Sequence, residues 1–397
     1  MATPQYQYLP HRSRPFDPPE MLGELRRRPI SKVTLWDGSA VWLATRYEDA
    51  QFVLQDSRFS SNIANPAFPF LSPGRANAPH LTNSLGFMDD PRHAEIRRML
   101  AGDFLSHRVD ELRPAIEQIV QAQVDRLLGY TPPVDLYTAF ALPIPSRMII
   151  KLLGIPTIDR RRFEQYTDIL VSGDSTQAEF NATLENFYTM CGQLLEDQAT
   201  ESSDGVLARV QREYRAGRLS FDEARMGAVV LITAGHSTTG TAISLGALMM
   251  LLDPEMLRAV RGDQESVRTA VEEVLRYHSV TNLGLPRVAT EDVPVGDQLI
   301  SAGDGVVVSV TSANRDESAF TDADTFDVTR SDARRHMAFG HGAHKCLGQW
   351  LARAELQIAL PALANRIPTL RLAVPREKIS FIDDSQLLKV NGLPVTW

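Results

Sequence analysis

The chain has 397 residues, a formal net charge of −8, 43% hydrophobic residues and 23% charged residues. This composition is typical of a globular protein and excludes a disordered chain, a collagen-like repeat and a coiled coil. The two cysteines, Cys191 and Cys346, are too few for a disulfide scaffold, a four-cysteine zinc site or a cysteine-ligated iron–sulfur cluster. The acidic balance argues against a nucleic-acid partner, and the first residues lack the apolar segment of a secretory signal. We therefore expect a cytoplasmic protein.

Residues 30–59 predict a strand, a turn, a second strand and a helix. The dipeptide Asp37-Gly38 is typical of a hairpin turn, and the helix is expected from Tyr47 to Leu54. Residues 60–90 mix prolines and glycines with scattered Phe and Leu, which predicts a long irregular loop. Such loops often bind ligands, so this one is a candidate substrate-access loop, the alternative being a tolerated surface insertion. Residues 1–29 are expected to form an N-terminal extension.

Helical spacing dominates from His93 to Leu252. A capping box at residues 220–223 predicts the start of a helix and Pro254 predicts its end, which gives a length of ~50 Å at ~1.5 Å per residue. Residues 226–252 carry no formal charge and exceed the ~20 residues that span a bilayer. Glycines, threonines, serines and His236 near the middle favour a buried helix over a transmembrane span.

The last third predicts a helix from Ala270 to Tyr277, short β-type segments, an irregular stretch over 314–335 and a final helix from about Leu347 to Ile367. No repeat or linker divides the sequence. We therefore expect a fold that is mainly α with a minor β region, formed by a single domain over residues 1–397.

Residues 339–348, FGHGAHKCLG, place Cys346 after a glycine-rich turn and at the start of the final helix. Glycines permit tight backbone geometry. A helix N-terminus lowers the pKa of a cysteine, which favours the thiolate as a ligand or nucleophile. One alternative is a buried structural cysteine. Another is a zinc site with His341 and His344, although the spacing matches no common zinc finger.

This segment resembles the haem-binding signature of the cytochrome P450 superfamily, F-x-x-G-x-x-x-C-x-G, because Phe339, Gly342, Cys346 and Gly348 fill its fixed positions. The resemblance covers nearly the whole chain and is closest to soluble bacterial, actinobacterial-type members. It implies a triangular, mainly helical prism around a buried haem b. By the same resemblance Cys346 is the axial ligand of the haem iron, and Phe339, Gly340 and Gly348 contact the cofactor.

A second motif, Glu273-Val-Leu-Arg276, matches the E-x-x-R of that family. Positions i and i+3 share one helix face, so the two side chains can pair. By itself such a pair is more often a surface ion pair, but the resemblance implies a structural lock near the haem. The third arginine of that lock is replaced by Thr325 in this sequence, and the nearby Arg330 is a candidate substitute.

A third motif, AGHSTT, occupies residues 234–239 in the middle of the long helix. Gly235 would remove a side chain where a flat cofactor presses on the helix, and the Thr238 hydroxyl can bond the carbonyl four residues earlier or a ligand. A kink in a packed core helix is the alternative. The motif resembles A-G-x-[D/E]-T-T, which implies that Thr238 is the oxygen-activating threonine beside Ala234 and Gly235. Ser237 stands where the family has an acid, and His236 is expected to face away from the haem.

The resemblance also assigns residues to the haem carboxylates and to the substrate. Two propionates require cationic or polar donors. The implied partners are His93, Arg97, Arg287 and His344. The pocket is expected to be mostly apolar. Its candidate walls are Phe68, Phe70, Leu71, Leu85, Phe87, Val230, Leu231, Ala234, Thr281, Asn282, Leu283, Leu285, Leu387 and Leu388.

The resemblance therefore implies a haem-thiolate monooxygenase that inserts one oxygen atom of O2 into a mid-sized organic substrate, by hydroxylation or epoxidation, in secondary metabolism or xenobiotic oxidation. Two alternatives remain open. One is a haem-thiolate enzyme for coupling, dehydration or peroxide-driven oxidation, for which Ser237 is the sequence support. The other is a non-enzymatic haem-binding protein.

Electrons would come from NAD(P)H through a ferredoxin or flavodoxin with its reductase, because the chain has neither a G-x-G-x-x-G unit nor cysteines for a cluster. An acidic partner surface would dock on a basic patch near the cysteine. The candidate patch consists of Arg98, Arg334, Arg335, Lys345 and Arg353. No nucleic-acid or membrane partner is expected.

Overall fold

The computed structural model describes residues 6–8, 12, 16–76, 79–155, 165–167, 169–170, 175–197, 203–382 and 385–397. In the described residues the helices are α1 (Glu20–Leu25), α2 (Tyr47–Gln55), α3 (Arg92–Ala101), α4 (Ser106–Leu128), α5 (Pro143–Leu153), α6 (Gln177–Glu196), α7 (Val206–Arg215), α8 (Phe221–Leu252), α9 (Pro254–Val260), α10 (Gln264–His278), α11 (Val310–Ala313) and α12 (Gln349–Arg366). The strands are β1 (Tyr6–Gln7), β2 (Ile30–Thr34), β3 (Ala40–Ala44), β4 (Phe59–Ser60), β5 (Val134–Asp135), β6 (Leu285–Ala289), β7 (Val293–Val295), β8 (Gln298–Ile300), β9 (Gly305–Val308), β10 (Arg371–Leu372), β11 (Phe381–Ile382), β12 (Lys389–Val390) and β13 (Pro394–Thr396).

The largest sheet has six strands in the order β1-β2-β3-β9-β6-β4. Its centre is the predicted hairpin, in which Ile30 pairs with Ala44. Gly38 turns the chain with a φ of 84°, a left-handed conformation that glycine adopts at little cost. The N-terminal segment joins this sheet, because β1 pairs with β2 in parallel and the Tyr8 hydroxyl donates to the Leu283 carbonyl at 2.8 Å.

The long helix α8 runs through the helical core. The Ser220 side chain accepts from the Glu223 amide and the Glu223 carboxylate accepts from the Ser220 amide, which forms the predicted capping box. The helix packs against α5, α6, α7 and α12. It is long and apolar enough to cross a membrane, but 72% of its apolar window is buried by the protein itself. It is therefore a core helix of the fold.

Among its described residues, segment 60–90 has no strand or α-helix after Ser60 and contains three short 3₁₀ turns, of which Pro73–Arg75 and Leu85–Phe87 matter below. The helix predicted over 270–277 is longer at both ends. It begins at Gln264 because the Asp263 carboxylate accepts from the Ser266 amide and caps it.

Helix α10 carries a fully buried ion pair, and the arginine of this pair also binds the irregular stretch after α11. Arg276 donates from Nε and Nη2 to the two Glu273 oxygens at 2.7 and 2.8 Å, and both side chains are 0% exposed. The remaining N–H groups of Arg276 reach carbonyls of that stretch: Asn314 (2.8 Å), Ala323 (2.7 Å) and Thr325 (3.0 Å). All of the guanidinium's hydrogen-bonding capacity is thereby used.

Arg330 completes this lock. Its Nε lies 3.4 Å from Glu273 Oε1, and Nη2 donates to the carbonyls of Asp322 and Thr325 at 3.0 and 3.1 Å. Thr325 contributes only its carbonyl to Arg276 and Arg330. Arg330 is therefore the third member of the lock, after Glu273 and Arg276. It lies five positions later in the sequence than the family's pattern places this arginine.

Replacing Arg276 with methionine is expected to cost about 3–5 kcal/mol of unfolding free energy, because it leaves the buried Glu273 carboxylate without its main partner. The matched control is Arg258→Met on α9, where an Arg–Glu pair of the same i,i+3 spacing has side chains 67% and 64% exposed. That control should cost at most about 1 kcal/mol. Urea titration followed by circular dichroism measures both, and equal costs would contradict the role of the buried pair.

Candidate active site

Cys346 lies in a tight loop between a 3₁₀ turn, Gly342–His344, and the start of α12. Its amide donates to the Phe339 carbonyl at 2.8 Å, which closes the loop on itself. Gly342 has a φ of 70°, and an added Cβ would lie 2.4 Å from the Leu54 carbonyl oxygen on α2. Any side chain at Gly342 would therefore collide with backbone, so the loop depends on this glycine for a close approach.

The position of Cys346 relative to the helix and the pKa of its thiol both differ from the sequence-based prediction. Helix α12 begins at Gln349, two residues later than predicted, so Cys346 precedes the helix rather than opening it. Burial raises the pKa of this thiol, while the Gly348 amide, Arg97 and Arg353 oppose that effect without overcoming it. The predicted lowering of this pKa by a helix N-terminus is therefore wrong. Neighbouring atoms desolvate the sulfur, but the residue as a whole keeps an exposed surface, which argues against a cysteine packed in the core.

On α8 the AGHSTT segment interrupts the buried helix with an open face. Ala234 is exposed, and Gly235 and Thr238 are partly exposed. The Thr238 hydroxyl donates to the Ala234 carbonyl at 2.5 Å. Gly235 also meets a constraint that the sequence did not reveal, because an added Cβ would lie 2.7 Å from the Ile149 side chain of α5. Packing between these two helices therefore also favours a glycine here.

Ser237 and His236 point to the buried side of the same turn. Ser237 is 1% exposed and His236 is 0% exposed. Ser237 Oγ lies 3.2 Å from His236 Nδ1, and Thr167 Oγ1 lies 2.8 Å from the same nitrogen. His236 therefore faces away from Ala234 and Thr238, as predicted, and Ser237 belongs to a buried polar cluster beside the open face.

Four groups able to carry positive charge gather beside the cysteine loop. The His93 ring stacks on the His344 ring with centroids 4.1 Å apart. Burial lowers the pKa of His344 to about 3. Three neighbouring cationic groups add to this effect: Arg287, His93 and Arg97. Arg97 also donates to the Lys345 carbonyl, and its charge favours the ionised form of the Cys346 thiol. The four groups and the cysteine therefore belong to one site.

In this cluster neither arginine is hydrogen-bonded to a carboxylate of the described residues, although Asp89 lies near enough to act on the charge of Arg287. Arg287 is 6% exposed and donates to the Pro286 carbonyl, and burial lowers its pKa to about 10. His93 Nδ1 lies 3.0 Å from Asp90 Oδ1, but its buried Nε2 has no hydrogen-bond partner within the described ranges. Buried donors of this kind favour an anionic ligand. The donor set fits the two carboxylates of a haem, and the open Cys346 sulfur fits its iron.

A second buried ion pair lies behind the cysteine loop, and the sequence analysis missed it. Arg353 donates to both Glu272 oxygens at 2.6 and 2.9 Å, and His336 Nε2 lies 3.0 Å from Glu272 Oε2. The guanidinium carbon of Arg353 is 4.4 Å from the centre of the Phe339 ring. The cluster therefore supports the residue whose carbonyl receives the Cys346 amide. The sequence did contain a signal for this pair, namely the two consecutive glutamates Glu272 and Glu273 on α10. Because adjacent positions on a helix face different directions, two partners could have been expected for them.

This pair also corrects the expected basic docking patch. The Arg353 side chain is 12% exposed and committed to Glu272, so it is not a surface cation. Arg335 donates to the Ala319 carbonyl, and Arg334 lies 3.3 Å from Glu265. Of the five expected residues, Arg98, Arg335 and Lys345 are exposed without an ion-pair partner among the described residues.

The predicted wall residues fall into two groups. Phe68, Phe70 and Phe87 form edge-to-face pairs with centroids 5.4 and 5.9 Å apart, and Leu85 and Val230 are partly buried. Leu231 is 9% exposed, and Leu388 is buried in the same cluster.

The other wall residues are placed by the sheets. Leu283 and Leu71 pack in the sheet core with Tyr8, so their expected place in the pocket wall requires correction. Thr281 forms an isolated bridge with the buried Leu387. Asn282 accepts from Arg12 at 2.8 Å, and Leu285 lies 3.7 Å from a Cβ built on Gly340.

The zinc alternative finds no support. Within the described ranges, no group of three or more His, Cys, Asp or Glu side chains is placed to hold a metal ion. His341 Nε2 lies 3.4 Å from side-chain atoms of Gln51 and Gln55, and His344 is stacked on His93.

The chain is similar to known proteins over nearly its whole length. The family model described as Cytochrome P450 matches residues 172–367. Cytochrome P450-SU2 of Streptomyces griseolus is 41% identical over 385 residues, which are 96% of this chain and 94% of that protein. Vitamin D3 dihydroxylase of the same organism is 38% identical over 402 residues, 100% of this chain and 99% of that protein. The structure of the mycinamicin VIII C21 methyl hydroxylase MycCI from Micromonospora griseorubida, bound to mycinamicin VIII, matches with a TM-score of 0.93 at 34% identity, over 99% of this chain and 100% of that chain.

Replacing Glu272 with glutamine is expected to flatten the acid side of the stability profile. Burial alone would raise the pKa of Glu272, but hydrogen bonds from His336 and Arg353 outweigh it and lower that pKa to about 2, against 4.5 for a free glutamate. The ionised carboxylate therefore stabilises the fold above the unfolded pKa, and this contribution is lost as the pH falls towards about 2.

Relative to Glu272→Gln, the wild type should lose about 1–2 kcal/mol of unfolding free energy between a pH of about 7 and about 3.5. Urea titrations at several pH values measure the difference. Glu265→Gln, an exposed position on the same helix, is the control and should follow the wild type. Parallel profiles for wild type and Glu272→Gln would show that the ion pair does not contribute.

Proposed function

Because the chain belongs to the cytochrome P450 family and has its mainly α fold with a minor β region, we propose that Cys346 holds a haem b and that the protein is a monooxygenase tailoring a mid-sized, mostly apolar organic substrate. One observation carries the assignment to these residues. The exposed Cys346 lies beside Arg97, Arg287, His93 and His344, and neither arginine is hydrogen-bonded to a carboxylate among the described residues. Whole-chain similarity to bacterial P450 hydroxylases supports the same reaction class.

We propose that Arg97, Arg287, His93 and His344 bind the haem propionates. His93 offers the buried Nε2 that has no partner in the described part of the chain, and a propionate would supply the negative charge that Arg287 and Arg97 lack. Phe339, Gly340 and Gly348 shape the loop that presents the sulfur. When bound, the haem supplies thiolate-assisted O–O cleavage and oxygen insertion.

The open face of α8 is the proposed oxygen side of the site. Thr238 holds its proton on Oγ1 towards the Ala234 carbonyl, and rotation about its χ1 bond can redirect that proton into the open space beside Ala234 and Gly235. Ser237 carries no charge and contacts His236 instead. We propose that proton delivery passes through Thr238 and water, with Ser237 relaying protons in place of the family's carboxylate.

The substrate is proposed to be a natural product of moderate size. The related proteins are named for vitamin D3 and for mycinamicin VIII. In this chain the aromatic residues Phe68, Phe70 and Phe87 and the aliphatic Leu85 and Val230 provide a matching apolar surface. Apolar walls with few polar groups are typical of small-molecule pockets.

We propose that electrons arrive from NAD(P)H through a ferredoxin or flavodoxin and its reductase, in the cytoplasm and without a membrane partner. P450 enzymes use O2 and redox partners, and α8 is accounted for as a core helix. Lys345 adjoins the cysteine and is exposed, so it and Arg98 are the proposed docking cations. The hydrophobic cluster that runs from Ile63 to Val395 supports one domain for the chain.

The decisive test is the carbon monoxide difference spectrum of the dithionite-reduced protein. Thiolate ligation by Cys346 should give the strongly red-shifted Soret band that distinguishes thiolate from histidine ligation. Cys346→Ser should lose this band, while Cys191→Ser, a buried cysteine on α6, should keep it. A histidine-type band in the wild type, or no haem uptake by folded protein, would contradict the proposal.

Thr238→Ala is expected to divert reducing equivalents to hydrogen peroxide, because the mutation removes the hydroxyl on the open face of α8. Product formed per NADPH should fall by about tenfold or more, as for loss of a proton-transfer group. Thr239→Ala, the buried neighbour, is the control. The assay compares product, peroxide and NADPH consumption, and unchanged product yield in Thr238→Ala would refute the role.

The substitution Ser237→Asp distinguishes the proposed monooxygenase function from the alternative function in coupling, dehydration or peroxide-driven oxidation. If the chain only tolerates serine at this position, the carboxylate should speed oxygen activation with the ferredoxin system. A collapse of product in Ser237→Asp, together with wild-type turnover driven by added peroxide, would instead support the alternative. Both rates are measured on the same haem-loaded preparations.

A further inference from the structure

Arg75 is a guanidinium that the protein leaves without a carboxylate. It lies in the 3₁₀ turn Pro73–Arg75, within the candidate substrate-access loop. Its Nε atom is buried and has no hydrogen-bond partner in the described part of the chain. Burial lowers the pKa of Arg75 to about 10, and no described carboxylate offsets that effect. A buried cationic donor without a partner carries a desolvation cost that a bound anion would remove.

The position of Arg75 connects it to the proposed pocket. Its guanidinium carbon lies 6.0 Å from the centre of the Phe87 ring. Phe87 in turn forms an edge-to-face pair with Phe68 at 5.9 Å. The turn Leu85–Phe87 packs against α3, which carries His93 and Arg97. Arg75 therefore adjoins the aromatic residues of the loop through its contact with Phe87.

The turn that carries Arg75 is fixed in place rather than free on the surface. The turn packs against α6. An added Cβ on Gly74 would lie 3.0 Å from Ser175 Oγ and 3.3 Å from Phe180 Cβ. The Arg75 amide donates to the Ser72 carbonyl at 3.3 Å, and the Ala76 carbonyl accepts from the Gln177 side chain. The backbone is thus held by α6 on one side, while the guanidinium extends over Phe87.

Resting on the proposed function, we infer that the substrate carries a carboxylate that binds Arg75, next to an apolar body that packs on Phe87 and Phe68. The planar fork of a guanidinium matches a carboxylate with two parallel hydrogen bonds. Arg75 thereby selects acidic substrates and sets which end of the molecule lies at the loop. The opposite, apolar end is then directed towards the haem side of the pocket.

Binding of simple amphiphiles to the haem-loaded protein tests this inference. The probes are decanoic, dodecanoic and tetradecanoic acids and the alcohols of the same lengths, measured by equilibrium dialysis at neutral pH. At least one acid should bind about tenfold or more tightly than its matched alcohol, as expected for a charge-assisted pair. Arg75→Gln should remove this preference and leave alcohol binding within about twofold, while Arg75→Lys should retain part of it.

Arg58→Gln is the matched control, since Arg58 is exposed and already paired with Asp56 at 2.6 Å. It should leave the preference for acids unchanged. The inference is overturned if no acid binds more tightly than its alcohol, or if Arg75→Gln retains the full preference. The carbon monoxide spectrum of each preparation separates this failure from that of the proposed function, because a thiolate-type band shows an intact site whatever the probes do.

Discussion

The buried guanidinium of Arg276 is the interaction on which the geometry of the site depends. Its donors hold the Glu273 carboxylate and three carbonyls of the chain between α11 and the cysteine loop. That stretch has little regular structure of its own, so its backbone carbonyls would lack partners without such a centre. Because the cysteine loop follows directly, a displacement of the backbone in this stretch would also displace Cys346.

Helix α10 supports the cysteine loop from two successive residues. Glu273 faces the irregular stretch and binds Arg276, whereas Glu272 faces α12 and binds Arg353. Arg353 stacks on Phe339, whose carbonyl accepts the Cys346 amide. The two carboxylates therefore fix the loop from both of its ends, one through the segment that precedes it and one through the helix that follows it.

Local sequence signals predicted the elements whose causes are local. The hairpin at Gly38 and the capping box at Ser220 require only residues within a few positions of each other, and both are present. Contacts between glycines and distant residues could not be predicted from local signals. An added Cβ would meet Leu54 of α2 at Gly342 and Ile149 of α5 at Gly235.

Charge was the property that the sequence predicted least well. The pKa of the Cys346 thiol depends on burial that only the folded chain creates. Arg353 was predicted to be a surface cation, because its partner Glu272 lies 81 positions away in the sequence. Arg75 gave no signal at all, since an arginine in a proline-rich loop is ordinarily solvated. In each case the outcome depends on which distant groups share a low-dielectric environment.

The arginines near the site separate into two kinds, and the difference distinguishes structure from recognition. Arg276 and Arg353 each hold a buried carboxylate with two hydrogen bonds, so their charge is neutralised by the fold. Arg287 and Arg75 are desolvated without such a partner in the described residues, and the pKa of each is lowered to about 10. Desolvating an unpaired charge destabilises the fold, and a ligand that brings its own negative charge removes that cost. On the proposed function, Arg287 would meet a carboxylate of the cofactor and Arg75 a carboxylate of the substrate, so that the two unpaired arginines serve recognition while the two paired ones serve structure.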